Sequence, residues 1–353
     1  MSESKVEENP TDTLPRATVD VVVIGGGAAG LNGALMLARS RRSVVVIDSG
    51  TPRNAPAAGV HGLLGLDGTP PTELLARGRQ EVRRYGGHVV AGEVSSAAAA
   101  APSAEGDPRF AVTLADGSTL RARRVLVATG LRDVLPDIPG LARHWGRGVV
   151  HCPYCHGWEV RDEPIGILAT GPASVHHALL FRQLGDDLVY FTGDTELDED
   201  TRAGFAARSI RVVDTPVAEV ESDQDGITGV RLTDGQVIAR RVLAVVTGMW
   251  ARTDGLEGLH LPMEALPVST GRRFASGTAG TTEVPGVWVA GNATDPTAQV
   301  GSSAAAGALA GAHINADLAT ADTLAAVALA PGPRAMSLAV AGGLYSRHAI
   351  NRN

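Results

Sequence analysis

The chain is poor in several residue types, and each shortage removes a class of function. Lysine occurs once in 353 residues, as Lys5 in a polar, acidic start, so the body of the chain has neither a Schiff-base lysine nor the lysine of a phosphate-binding P-loop. Two cysteines are too few for a disulfide scaffold in so long a chain. Apolar runs long enough to cross a bilayer are missing, although 44% of residues are hydrophobic, which predicts no membrane span. The balance of 31 basic against 38 acidic residues, with a pI near 5.8, leaves no basic face for nucleic acid or an anionic membrane. The start has no positively charged segment followed by an apolar one, which predicts a soluble, cytoplasmic protein whose cysteines cycle rather than staple. At about one domain per 150 residues, the length predicts two domains.

Both cysteines lie in His151-Cys152-Pro153-Tyr154-Cys155-His156-Gly157-Trp158-Glu159. Two cysteines separated by two residues, with a histidine on each flank, suit redox chemistry, metal ligation or haem attachment. Haem attachment belongs to exported proteins. Four zinc ligands this close in sequence rarely close a tetrahedron, and structural zinc draws on separated pairs. A dithiol/disulfide couple needs an electron donor or acceptor nearby and a lowered thiol pKa, and the rest of the chain offers both.

Val19 to Ile24 is a short β-branched run, followed by Gly25-Gly26-Gly27-Ala28-Ala29-Gly30, a helical pattern over Leu31 to Ala38, and a second apolar run from Ser43 ending in Asp48. Strand, Gly-x-Gly-x-x-Gly, helix, strand and acid together form a dinucleotide-binding unit. Gly25 makes the tight turn, Gly27 admits the pyrophosphate, Gly30 lets helix and strand pack, and Asp48 accepts from a ribose. The Gly/Pro-rich stretch 51–72, with His61 in it, is too long for a plain connection and is expected to line a site or to pack on its own leucines. An Ala/Ser-rich stretch at 95–104 reads as a low-complexity insertion among short strands. A buried strand, Arg124 to Val127, ends in Thr129-Gly130.

The pattern then returns. Ala169, Gly171 and Ser174 stand 144 residues after Gly25, Gly27 and Gly30, between a strand at Pro164 to Leu168 and a helix at Val175 to Leu184. This second copy is eroded. Two of its three glycines are gone, Pro172 removes one N–H from the phosphate-facing turn, and Thr192 stands where Asp48 would, with no arginine for a 2′-phosphate. His176 and His177 read as packing or surface residues of the helix. Near the end, a strand closes in Gly291-Asn292, followed by Gln299-Val300 and a small-residue helix expected from about Ser302 to Leu318.

Over nearly all of residues 19 to 320 these motifs resemble the thioredoxin reductase family of flavoproteins. The resemblance implies an α/β fold of two Rossmann-like dinucleotide-binding domains, the second inserted in the first. Residues 18–134 and 265–324 would bind FAD, and 135–264 would carry the Cys-x-x-Cys with an eroded nucleotide motif. Residues 1–17 would be a disordered leader, and 325–353 a tail. FAD would be held by Gly25, Gly27, Ala28, Gly30, Asp48, Thr129, Gly130, Gly291, Asn292, Gln299 and Val300, with Asn292 in place of the family's aspartate. A homodimer is also implied. Two departures, His156 where the family has an acid and the eroded second motif, look like the FAD-dependent dithiol oxidases that close disulfides in gliotoxin- and holomycin-type natural products.

The activity so implied is oxidation of a small-molecule dithiol by a Cys152–Cys155 relay, with FAD as cofactor and O2 reduced to peroxide. His156 would be the general base and His151 the alternative, or else a strand-end histidine with a backbone partner. His61, Tyr154 and Trp158 would wall the substrate pocket, the two aromatics being equally suited to a core. The rivals are a disulfide reductase fed by a donor other than NADPH, and a flavin redox sensor, for which no output module is in view. No metal is called for.

Overall fold

A computed structural model describes residues 12–15, 17–102, 107–267 and 269–329. The first unit runs Val19–Ile24 (β1), Ala28–Arg39 (α1), Val44–Asp48 (β2), Pro71–Arg84 (α2), His88–Ala91 (β3), Val94–Ala100 (β4), Arg109–Leu114 (β5) and Thr119–Val127 (β6). Leu131–Val134 (β7) leads out of it. The second unit follows with Val149–Val150 (β8), Pro153–His156 (α3), Ile165–Leu168 (β9), Ala173–Phe181 (α4), Leu188–Phe191 (β10), Glu199–Ala207 (α5) and Ile210–Val213 (β11). Val217–Asp223 (β12), Gly226–Leu232 (β13) and Val237–Ala239 (β14) form an antiparallel appendage before Val242–Val245 (β15). The chain returns through Gly248–Ala251 (β16), Met263–Ala265 (β17), Gly271–Phe274 (β18), Val287–Val289 (β19) and the long helix Val300–Leu329 (α6).

The first sheet has the order β3-β2-β1-β6-β5-β4, with β19 added to β6. Its β3, β2, β1, β6 and β19 pairings are parallel. Val21, Val22, Val23, Val45 and Val46 have no exposed surface, as expected where helices cover one face of a parallel sheet and further chain the other. The second sheet, β11-β10-β9-β15-β8, is parallel throughout. This is the doubly wound α/β architecture repeated, with the second unit inserted between β7 and β16. Ligands of such sheets gather outside the carboxyl ends of the strands, where Ile24 and Asp48 end. No described helix is long and apolar enough to cross a membrane.

Four details differ from expectation. Val94–Ala100 is a strand rather than a loose insertion, paired antiparallel with β5. Gly255 and Gly258 of the returning chain lie against it so closely that a Cβ on either would strike the strand, and Ala97 N–H donates to the Gly255 carbonyl at 2.7 Å. Helix α6 runs past Leu318 to Leu329, and on its added turns Asp322 pairs with Arg42 at 2.6 Å and Arg123 at 2.7 Å. Its glycines let α6 lie against α1 at backbone distance; a Cβ on Gly307 would strike the Ala29 carbonyl. The end of the leader is held, with Asp12 paired to Arg83 and Leu14 packed on the core. Finally, Ala251, Leu256 and Leu259 already belong to the first unit's core, so the return lies at β16 and not at residue 265. The tail beyond Leu329 lies outside the described residues.

Candidate active site

β1 hands the chain to α1 through Gly25-Gly26-Gly27. Gly25 takes φ +104°, a region open to glycine and strained for other residues, and a Cβ there would also strike the Ala128 carbonyl. No side chain caps α1, which leaves its first N–H groups to an anionic ligand. Asp48 stands at the end of β2. One of its oxygens accepts from the Gly26 N–H at 3.2 Å, and the other takes Arg79 at 2.9 Å. Gly30 lies behind this turn, where a Cβ would collide with the Gly25 carbonyl.

A cavity of about 860 Å³ begins at this turn. Its wall includes Gly25, Gly27, Ala28, Asp48, Thr129, Gly130, Gly291, Asn292, Gln299 and Val300, and at the other end His151, Cys152, Tyr154, Cys155 and His156. The cradle and the cysteines, which come from separate segments of the chain, therefore share one space. Its size, an uncapped helix N-terminus and an acid at the end of the second strand fit a dinucleotide-bearing cofactor.

Cys152 and Cys155 form a disulfide. Cys152 caps the short α3, Pro153 begins it, and the Cys155 N–H donates to Cys152 Sγ at 3.1 Å. That N–H stabilises negative charge on Cys152 when the bond opens.

Three histidines surround the pair. His151 Nδ1 lies 3.0 Å from the Val245 carbonyl and 3.4 Å from the Thr247 N–H. The shorter contact puts the proton on Nδ1 and leaves Nε2 as an acceptor. Neither ring nitrogen of His156 has a hydrogen-bond partner among the described residues, and both are buried. Burial lowers the pKa of both histidines, so each is a neutral imidazole near pH 7. His177, which reads from sequence as packing, lines the cavity as well. It lies 2.5 Å from the His151 carbonyl through Nε2 and edge-on to Phe181.

Burial lowers the His177 pKa from 6.5 to about 4. The unfolded chain accepts a proton that the folded chain refuses, so this contribution to stability is complete above pH 6.5 and is lost as pH falls toward 4. The depression is worth at most about 3 kcal/mol. Urea midpoints are expected to fall across that window in the wild type and to fall less in His177→Gln. Equal losses in the two proteins would remove His177 from the acid response.

The expected substrate wall is only partly present. Tyr154 lines the cavity and is 65% exposed. Trp158 is not part of the cavity wall and is 68% exposed, with the Arg161 guanidinium 4.1 Å above its ring. His61 also stands outside the wall, between Asp67 at 3.5 Å and Glu159 at 3.3 Å. Asn292 turns its NH2 to the carbonyls of Asp295, Pro296 and Ala298, so it organises that loop. Sequence reading misses Arg53, Asp133 and Thr247, all tied together beside the cavity; only the length of the 51–72 loop hints at Arg53. Burial alone would raise the Asp133 carboxyl, but the bidentate Arg53 and the Thr247 hydroxyl hold it below the usual range.

In the second unit the corresponding turn is closed by its own side chains. The Ser174 hydroxyl accepts the Thr170 N–H at 3.0 Å, and Thr170 Oγ1 donates to the Val246 carbonyl at 2.7 Å. Thr192 is buried, its hydroxyl on the Val213 carbonyl at 3.4 Å.

Residues 19–312 match the family described as pyridine nucleotide-disulphide oxidoreductase. The chain belongs to this family. Among curated proteins similar to it, thioredoxin reductase sirT of Leptosphaeria maculans is 32% identical over 316 residues, 84% of this chain and 93% of that protein. Thioredoxin reductase tcpT of Claviceps purpurea is 34% identical over 283 residues, 78% of this chain and 86% of that one. The crystal structure of HlmI superposes with a TM-score of 0.83 at 45% identity, covering 90% of this chain and 97% of HlmI. As a pyridine nucleotide-disulphide oxidoreductase of the thioredoxin-reductase type, the protein is a flavoprotein that exchanges thiols and disulfides.

Proposed function

We propose that this flavoprotein oxidises a small-molecule dithiol to its disulfide, with Cys152–Cys155 as relay, FAD as cofactor and O2 as final acceptor. The observation that carries this direction is the second nucleotide turn. Its Thr170 N–H is already taken by Ser174, and Pro172 supplies no N–H at all. A reductase needs that turn for its electron source, whereas an oxidase receives electrons from its substrate.

His156 accepts the proton of the first substrate thiol, since it lines the cavity, its ring nitrogens have no partner among the described residues, and burial keeps the ring neutral. The thiolate attacks Cys152 Sγ; the Cys152–Cys155 bond breaks and Cys155 leaves as thiolate. His151 Nε2 accepts the second substrate proton. The second thiolate attacks the substrate sulfur of the mixed disulfide, closing the product and releasing Cys152, whose charge the Cys155 N–H stabilises. The residues lining the first turn, with Thr129-Gly130 and Gln299, would hold FAD, whose chemistry when bound would be that of a two-electron acceptor for the Cys pair that can be reoxidised by O2. Proton transfer to a neutral imidazole and thiolate attack on a disulfide are ordinary steps for these groups.

Aerobic incubation with dithiothreitol should consume thiols and O2 and produce peroxide, one per disulfide closed. NADPH should bleach the flavin slowly or not at all under anaerobic conditions. Rapid bleaching by micromolar NADPH, with no peroxide from dithiols, would replace the oxidase by a disulfide reductase, the activity in the names of the fungal relatives.

A further inference from the structure

The wall between the cofactor cradle and the disulfide holds a charge pair with no part in the chemistry just described. Arg53, in the loop after β2, sends Nε and one terminal nitrogen to the two Asp133 oxygens, each at 2.7 Å. Its other terminal nitrogen reaches the Pro296 carbonyl at 3.3 Å and Asn292 Oδ1 at 3.5 Å. Asp133 is on β7, its side chain 6% exposed, and accepts from Thr247 Oγ1 at 2.7 Å. Thr247 directly precedes β16 and stands two residues after Val245, whose carbonyl accepts from His151 Nδ1 at 3.0 Å. β7 and β16 pair antiparallel and carry the chain out of the first unit and back.

One fork therefore touches three places whose relation decides whether the two ends of the cavity can communicate. It holds the Gly291-Asn292 side of the cradle, both strands that join the units, and through the Val245–Thr247 segment the residue before Cys152. Desolvation offsets much of the attraction in a buried ion pair, so such a pair contributes little net stability. A planar bidentate fork does fix distance and orientation. Arginine supplies a further donor direction for Asn292 and Pro296 that lysine lacks.

We propose that Arg53 and Asp133 are positioning residues that set the disulfide segment against the cofactor cradle by holding Asn292 and Thr247 in one frame. The inference rests on the reading that Cys152–Cys155 exchanges electrons with a flavin in that cradle, though not on the direction of flow or on oxygen.

The test uses full-length flavoprotein and three variants: Arg53→Lys, the double variant Arg53→Met/Asp133→Asn, and Thr247→Val. The double variant removes both charges together, so neither is left buried alone. Three quantities are measured: anaerobic single-turnover bleaching of the flavin by dithiothreitol, flavin affinity by fluorescence, and hydrogen exchange over 149–157 and 292–298. The double variant should bleach about 10- to 100-fold more slowly, the scale expected when reacting groups lose alignment. Its flavin affinity should hold, and exchange should quicken in both segments together. Arg53→Lys should recover part of the rate. Wild-type bleaching in the double variant, outright loss of flavin, or loosening of one segment alone would overturn the proposal. If the double variant does not fold, Thr247→Val decides, with a slower rate expected and an unchanged rate fatal. A wild type that makes no peroxide from dithiols would remove the oxidase reading and leave this test intact.

Discussion

Cys155→Ser should end reduction of the flavin by dithiols at every pH from about 6 to 9, since serine cannot form the second half of a disulfide. The flavin should stay bound, because the cradle is built from the first turn, Thr129-Gly130 and Gln299 on the far side of the cavity. Turnover should fall by more than about a thousandfold, as when one member of a group acting as a unit is removed. Cys152 would remain as a thiol able to form a mixed disulfide with substrate and unable to pass electrons further. Anaerobic spectra with excess dithiothreitol, together with a thiol count, check both points. If the variant bleached at the wild-type rate, the disulfide would be a bystander, and dithiols would have to reduce the flavin directly.

The second large effect concerns His156. A thiol with a pKa near 8.5 is only a few per cent ionised at pH 7, so a positioned base is worth roughly 10²–10⁴ in rate. Burial depresses the His156 pKa below its usual 6.5, and a base is active only when neutral. The wild-type rate should therefore hold as pH falls through 6.5 and decline only below it. His156→Ala should slow turnover by the factor above and give a rate that climbs with pH up to the substrate's own ionisation. The Cys pair and the flavin spectrum should be unchanged. Wild-type turnover in His156→Ala between pH 6 and 9 would assign the first proton to His151, whose Nδ1 is already committed to the Val245 carbonyl.

Residues whose partners are close in sequence are legible from the residue pattern itself. Gly25 and Asp48 belong to one strand-turn-helix-strand unit, and the eroded Ala169, Pro172 and Ser174 compare with it position by position. Side-chain direction is not legible in the same way. Trp158 is three residues beyond Cys155, yet its ring faces solvent under Arg161; spacing along an irregular segment does not set where a ring points. His177 reads as packing because a histidine on a helix gives no sign of which backbone carbonyl it meets, here that of His151. The Ala/Ser run at 95–104 reads as a low-complexity insertion, because the partners that make Val94–Ala100 a strand, β5 and the returning chain at Gly255 and Gly258, are not encoded within the run.

From the sequence alone follow two dinucleotide-binding units, one whole and one eroded, and a single dithiol pair between them. These depend on backbone geometry over a few residues, where glycine, proline and Cys-x-x-Cys spacing act locally. Only the tertiary structure decided that the cradle and the disulfide open on one cavity, that the second turn is closed by Ser174, and that Arg53, Asp133 and Thr247 meet beside both ends. Arg53 and Asp133 are 80 residues apart, and Asp133 and Thr247 are 114 apart. No local pattern encodes such meetings, because they arise when β7 and β16 pair and bring together segments whose separate sequences carry no sign of one another.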